Sequence, residues 1–168
     1  YLGGVLKGYL RVPSPAQDDP QQFISANHAC VVLFNGISTP KEELYFTENS
    51  LLAVGVATLS FDYPFSDDGQ SLTALDPEEL GNSLLSTLST RSDIDMSRLV
   101  AYGTSIGRRI ALLVVAKFQQ RFQAVVTLSA PYDLLTDLDL LLPVMKREYA
   151  ASQQCSKTIL FDLARQTT

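Results

Sequence analysis

Five residues, Gly103-Thr104-Ser105-Ile106-Gly107, carry the strongest chemical signal in the chain. Their spacing is Gly-x-Ser-x-Gly, and their setting is the one that gives this spacing meaning. Arg98-Leu99-Val100-Ala101-Tyr102 before them reads as a buried strand, and Ile106 to Phe118 after them as a strongly apolar helix. A strand that turns abruptly into a helix holds its central serine in strained backbone geometry, and side chains at Gly103 and Gly107 would collide with neighbouring backbone. Ser105 is then held proud of the sheet at a helix N-terminus, where free N–H groups and the positive dipole end favour developing negative charge. The chemistry that fits is nucleophilic attack on an acyl carbon. A glycine-rich turn with a capping serine is the competing reading, and the strand-before, helix-after setting favours the first.

Acyl transfer at a serine needs a second oxyanion donor, which in such an arrangement comes from the loop after an earlier strand. Asn35-Gly36-Ile37-Ser38 stands in that place, after the apolar run Cys30-Val31-Val32-Leu33-Phe34 and before a helix start. Gly36 would let the backbone N–H of Ile37 approach an oxyanion closely. Taken alone, the same four residues also read as an ordinary strand-to-helix turn. The expected site is therefore Ser105 as nucleophile, Ile37 and Ile106 as oxyanion donors, and Gly103 and Gly107 as elbow glycines, with no metal and no cofactor.

The elements that must position these residues follow a βαβ rhythm, which predicts an α/β fold with a mostly parallel sheet and helices on both faces. Val5 to Val12 reads as an edge strand ending at Pro13-Ser14-Pro15. The continuously apolar run from Cys30 to Phe34 reads as a strand buried on both faces. Thr39-Pro40-Lys41-Glu42-Glu43 predicts a helix start with Thr39 as the capping hydroxyl, the helix running to about Ala53 and stopped by Gly55. Val56 to Phe61 is the next strand, and Asp76-Pro77-Glu78-Glu79 opens a second helix with Leu80, Leu84, Leu85 and Leu88 on one face. Ala124 to Leu128 is a further strand, with Leu134 to Leu142 and Pro143 to Ala151 read as helices.

Composition removes other classes. With 168 residues there is room for one domain with a real core. Thirteen basic against eighteen acidic residues leave no broad cationic face for a phosphate backbone, so nucleic acid is excluded as the expected partner. Every long apolar run is interrupted by charge, Pro or Gly, so no bilayer-crossing segment is expected. Cys30 and Cys155 form neither a disulfide framework nor a metal-ligand spacing, and no secretory signal opens the chain, which points to a reducing cytoplasm; Tyr1 in place of Met leaves a missing leader open. The expected partners are a small ester or acyl substrate and, at most, a second copy of the chain in a homodimer.

From about Leu6 to Tyr149 the sequence resembles the α/β-hydrolases, nearest to the esterase branch of FrsA-like proteins and dihydropseudooxynicotine hydrolase. Four segments carry the likeness: Lys7-Gly8-Tyr9-Leu10 with Pro13; Phe34 to Ser38 followed by Lys41-Glu42-Glu43; Gly55 to Pro64; and Asp95 through Gly107 continuing to Leu128-Ser129-Ala130-Pro131-Tyr132-Asp133. The resemblance implies that Ser105 is the nucleophile and that N–H groups at Ile106 and Ile37 form the oxyanion hole. Departures are Asn35, where a glycine is common, Arg108, where a second glycine is common, and Tyr63-Pro64-Phe65 in place of a Pro-Gly turn. Arg108 and Arg109 could orient an anionic substrate or simply face solvent.

The rest of a triad is the largest departure, because in these enzymes the chain order is Ser, then Asp or Glu, then His. No histidine follows Ser105; the only one is His28, which reads as a residue at the start of a strand rather than a base. Asp133 stands where some relatives hold the acid, and equally suits a helix cap. Without an imidazole the Ser105 hydroxyl stays protonated and is a poor nucleophile. The expectation is a serine hydrolase, esterase- or thioesterase-like, forming an acyl-enzyme on Ser105, with residues 1–168 a single domain incomplete at its C-terminus. The alternative is a catalytically dead member of the fold kept for binding or regulation.

Overall fold

The computed structural model describes residues 6–14, 27–36, 39–63 and 76–128. Five strands form one sheet: β1 (Gly8–Arg11), β2 (His28–Phe34), β3 (Ala57–Phe61), β4 (Ile94–Thr104) and β5 (Phe122–Leu128). Their order is β1-β3-β2-β4-β5. The β2–β3, β2–β4 and β4–β5 pairs are parallel, and β1 alone runs antiparallel, against β3. The expected α/β class with a mostly parallel sheet is the class observed.

A 3-10 turn (Lys41–Leu44) leads into α1 (Tyr45–Ala53), and the other helices are α2 (Pro77–Ser89) and α3 (Ile106–Lys117). Gly55, at φ 82°, stops α1 as expected. Asp76 caps α2, its carboxylate accepting from the Glu78 backbone N–H at 2.8 Å with Pro77 in the first turn. The capping position falls on Pro40 rather than on the expected Thr39, and Pro40 makes no side-chain bond to the helix start. The free N–H of Lys41 is met instead from another strand, by Asp62 Oδ1 at 2.8 Å. A carboxylate supplied across the fold does the work that a local hydroxyl does elsewhere.

Alternating residues of the strands serve two different faces. On one, Cys30, Val32 and Phe34 of β2, Ala57, Leu59 and Phe61 of β3, and Leu99 and Ala101 of β4 pack with Leu80, Leu84 and Leu88 of α2 and Ile110, Ala111 and Val114 of α3. Phe34 and Phe61 meet edge to face, centroids 5.5 Å apart, and Phe61 meets Tyr63 in the same way. The other face is smaller and wetter: Val31, Leu33 and Leu44 with Leu51 and Val56. There Arg11 bonds the buried Glu48 at 2.9 Å and Asn49 at 2.7 Å. Glu48 Oε1, Thr58 Oγ1 and Ser60 Oγ are buried without a hydrogen-bond partner among the described residues.

The chain passes from β2 to a neighbour on one side (β3) and then back to the other side of β2 (β4). The carboxyl ends of β2 and β4, Phe34 beside Gly103, thus flank the point where the strand order reverses. Crevices above such points are where open α/β sheets bind ligands. Ser105 and the loop after Phe34 both emerge there.

Candidate active site

The sequence places Ser105 between a strand and a helix, and the structure does so at single-residue sharpness: β4 ends at Thr104 and α3 begins at Ile106. Ser105 has φ 52° and ψ −124°, and among the described residues it is the only one besides glycine with a positive φ. A side chain is rarely held there, and the surrounding contacts account for it. The Ser105 N–H donates to the Leu128 carbonyl at the end of β5, 3.1 Å away, and the Ser105 carbonyl accepts from the Arg108 N–H at 3.2 Å. The elbow is tied to the strand beside it and to the helix after it.

Both flanking glycines are required by space. A Cβ on Gly103 would stand 2.7 Å from Arg108 Cα and 2.8 Å from both Arg108 N and the Gly107 carbonyl oxygen, all of them backbone. A Cβ on Gly107 would run into the Phe34 and Asn35 carbonyls. That second contact brings the start of α3 against the end of β2, so Ser105 and the neighbouring loop share one packed corner.

Gly36 is the member of that loop that borders the serine. A Cβ placed on it would lie 3.3 Å from Ser105 Cβ and 3.8 Å from Oγ, so bare backbone faces the hydroxyl. Ile37, the expected second oxyanion donor, lies outside the described residues. Ile106 is the first residue of α3, where a backbone N–H has no partner in its own helix.

Neighbouring groups hold the loop from three directions. The buried Asn35 donates through Nδ2 to the Thr39 carbonyl, and the Thr39 N–H reaches the Gly36 carbonyl at 3.4 Å. Tyr63 OH, buried beyond β3, donates to the Asn35 carbonyl at 3.2 Å. Burial holds the Tyr63 phenol well above its ordinary pKa, so it remains a donor. At the loop's far end Lys41 Nζ pairs with Asp62 Oδ2 at 2.5 Å and Glu42 Oε1 at 2.9 Å and lies 4.8 Å from the centre of the Tyr9 ring. The hydrogen bond to Asp62 and then that to Glu42 raise the Lys41 pKa, so the ammonium persists.

Asp62, Tyr63 and Lys41 were not singled out by the sequence as parts of the site. One signal was available: Lys41 opens a helix whose dipole disfavours a cation there, so it needs an anionic partner from elsewhere.

His28 stands at the opposite end of the sheet. It begins β2 and pairs with Ile94, the first residue of β4, while Phe34 and Gly103 mark the serine's end. Six residues of strand at about 3.3 Å each separate the two ends by about 20 Å. Its Nδ1 lies 3.1 Å from the Gly55 carbonyl oxygen, in keeping with the strand-start role read from the sequence. Asp133, the expected helices from Leu134 to Ala151, Cys155, and the Pro64 and Phe65 of the altered turn lie outside the described residues. Arg108 is the third residue of α3 and half-buried, and Arg109 is exposed. Among the described residues no helix is long and apolar enough to cross a membrane.

The sheet order with its single antiparallel edge, the two helical layers and a strained serine between strand and helix define the α/β-hydrolase fold. Solved structures bear this out. The chain is similar to 2,6-dihydroxy-pseudo-oxynicotine hydrolase, with 25% identity and a TM-score of 0.71 over 96% of this chain and 42% of that one. It is also similar in fold to a lipase/esterase from Lactobacillus plantarum (13% identity, TM-score 0.61, 89% of this chain and 64% of that one). Thermogutta terrifontis esterase 2, solved phosphorylated by paraoxon, matches with 16% identity and a TM-score of 0.58 over 77% of this chain and 54% of that one. The chain therefore spans less than two thirds of each of these proteins. No protein-family model and no curated protein matches the sequence.

Proposed function

We propose that the protein is a serine hydrolase of carboxylic-ester type, forming an acyl-enzyme on Ser105. The observation that carries this is the backbone of Ser105, held at φ 52° between β4 and α3 with Gly36 against its hydroxyl. A fold rarely maintains such strain at a residue with a side chain unless that side chain is used there. The likeness to a hydrolase at 25% identity supports the same reading.

In this mechanism Ser105 Oγ attacks the acyl carbon as its proton passes to a base, and the carbonyl electron pair moves onto oxygen. The resulting oxyanion is stabilised by the N–H of Ile106, at the positive end of α3, and by that of Ile37 from the loop after β2. Collapse expels the alcohol or thiol, which takes a proton from the same base, and water then releases the acid. His28, about 20 Å along β2 from the serine, does not serve as that base. We assign it to an imidazole supplied by protein beyond these 168 residues, in the chain order Ser, acid, His.

A fluorophosphonate probe tests the proposal. The full-length protein is expected to be labelled on Ser105, and Ser105→Ala to abolish the label. Absence of labelling in a protein carrying a downstream His would overturn the hydrolase reading and favour a binding or regulatory role.

A further inference from the structure

We propose that Asp62 and Tyr63, the two residues following β3, are positioning residues that fix the oxyanion loop against Ser105. This rests on the acyl-transfer reading above. The loop leaves β2 at Asn35 and rejoins regular structure at Lys41, and each end is held by one member of this dipeptide. Tyr63 OH donates to the Asn35 carbonyl at 3.2 Å. Asp62 takes the Lys41 backbone N–H on one carboxylate oxygen at 2.8 Å and the Lys41 ammonium on the other at 2.5 Å. Asp62 is itself anchored, its N–H donating to the Lys7 carbonyl at 2.9 Å as β1 begins.

The two tethered positions, Asn35 and Lys41, are thus held by neighbouring residues just past the end of β3. The Asn35 carbonyl that Tyr63 holds belongs to the peptide unit shared with Gly36, whose bare backbone faces the serine hydroxyl. A carbonyl and the N–H across its peptide bond point in opposite directions. Pinning the Asn35 oxygen therefore sets the orientation of the Asn35–Gly36 peptide, the backbone that borders Ser105. An oxyanion hole depends on donors fixed before the charge develops, and misplacement of about 1 Å costs up to about a hundredfold in rate.

The two bonds can be removed separately with little change of volume. Tyr63→Phe deletes one hydroxyl and keeps the ring that meets Phe61 edge to face. Asp62→Asn keeps the shape and loses the charge facing Lys41.

The experiment uses the full-length protein, p-nitrophenyl butyrate as the turnover probe, and a trifluoromethyl ketone enriched with 13C at its carbonyl. Ser105 Oγ adds to that carbonyl, the π electron pair becomes the hemiketal oxyanion, and the hydroxyl proton leaves through the base. The carbon shift then reports the pH at which the oxyanion protonates. In Tyr63→Phe, kcat is expected to fall about tenfold with KM within about twofold, and the hemiketal to titrate about one pH unit higher; Asp62→Asn is expected to lose about ten- to a hundredfold.

An adduct that titrates as in the wild type in both variants would overturn the inference while leaving Ser105 as nucleophile. A wild type that forms no adduct and takes no fluorophosphonate would overturn both. Should Asp62→Asn fail to fold, Tyr63→Phe decides, since only a buried hydroxyl is removed.

Discussion

The backbone of Ser105 permits a test in which the smaller of two substitutions is the more stable. At φ 52° and ψ −124° a residue with a Cβ is strained, whereas glycine adopts such angles freely. Strain of this kind is worth about 1–3 kcal/mol. Glycine gives back about 0.5–1 kcal/mol through the extra freedom of its unfolded chain. Ser105→Gly should therefore be more stable than Ser105→Ala by about 1 kcal/mol, near the middle of a span of about 0–2.5 kcal/mol, the lost hydroxyl being common to both. In a chain of this size a difference of about 1 kcal/mol separates the thermal midpoints by about 2–4 °C. Urea unfolding gives the comparison directly, as a higher midpoint for the glycine variant at an unchanged slope. Both variants are expected to be blank to a fluorophosphonate. If Ser105→Ala proves as stable as Ser105→Gly, the elbow stores no strain, and a capped glycine-rich turn becomes the better description.

Other outcomes follow from the same geometry. Gly103→Ala sets a Cβ within 2.7–2.8 Å of three backbone atoms and should cost about 1–3 kcal/mol in urea unfolding, with the rate of serine labelling falling as well. Burial pushes the Cys30 thiol up to about 12, so iodoacetamide at pH 8 should modify this residue only once denaturant opens the sheet, as peptide mass mapping would show. Lys41 lowers Glu42 to about 2, and the Ser97 hydroxyl with Arg98 lowers Asp95 to about 2. Carboxyls depressed in the folded state stabilise it above their ordinary range and lose that contribution as pH falls through the folded value. Urea midpoints should therefore decline between about pH 4.5 and 2, and less steeply in a Glu42→Gln, Asp95→Asn double variant.

Much of this architecture was legible because its signals are local. The Gly-x-Ser-x-Gly spacing lies within one strand-turn-helix unit, and the Asp76-Pro77 cap needs only its own helix. Sequence reading began β4 at Arg98, whereas the strand starts at Ile94. Asp95 and Ser97 are polar, yet Ile94 and Met96 alternate with them, and His28 at the start of β2 pairs with Ile94. Thr39 was misread as a cap for a similar reason. The group that meets the first N–H of that helix is Asp62, 21 positions away, and propensity carries no information about so distant a carboxylate. The tethers on the loop are likewise tertiary: Tyr63 and Asn35 are 28 residues apart, and nothing periodic links them.

The contrast between the two faces of the sheet sets an order of breathing. The side of α2 and α3 is continuously apolar, whereas the side of α1 holds the Arg11–Glu48 pair and three buried oxygens without partners among the described residues. Partial openings draw on the side with less apolar burial. Amides of α1 should thus exchange with deuterium before those of α3. On the proposed mechanism, each such fluctuation would withdraw the Gly36 backbone from the serine while Ser105 stays folded on the α3 side. The site would then have an idle form, reached without unfolding, whose population follows the stability of a single short helix.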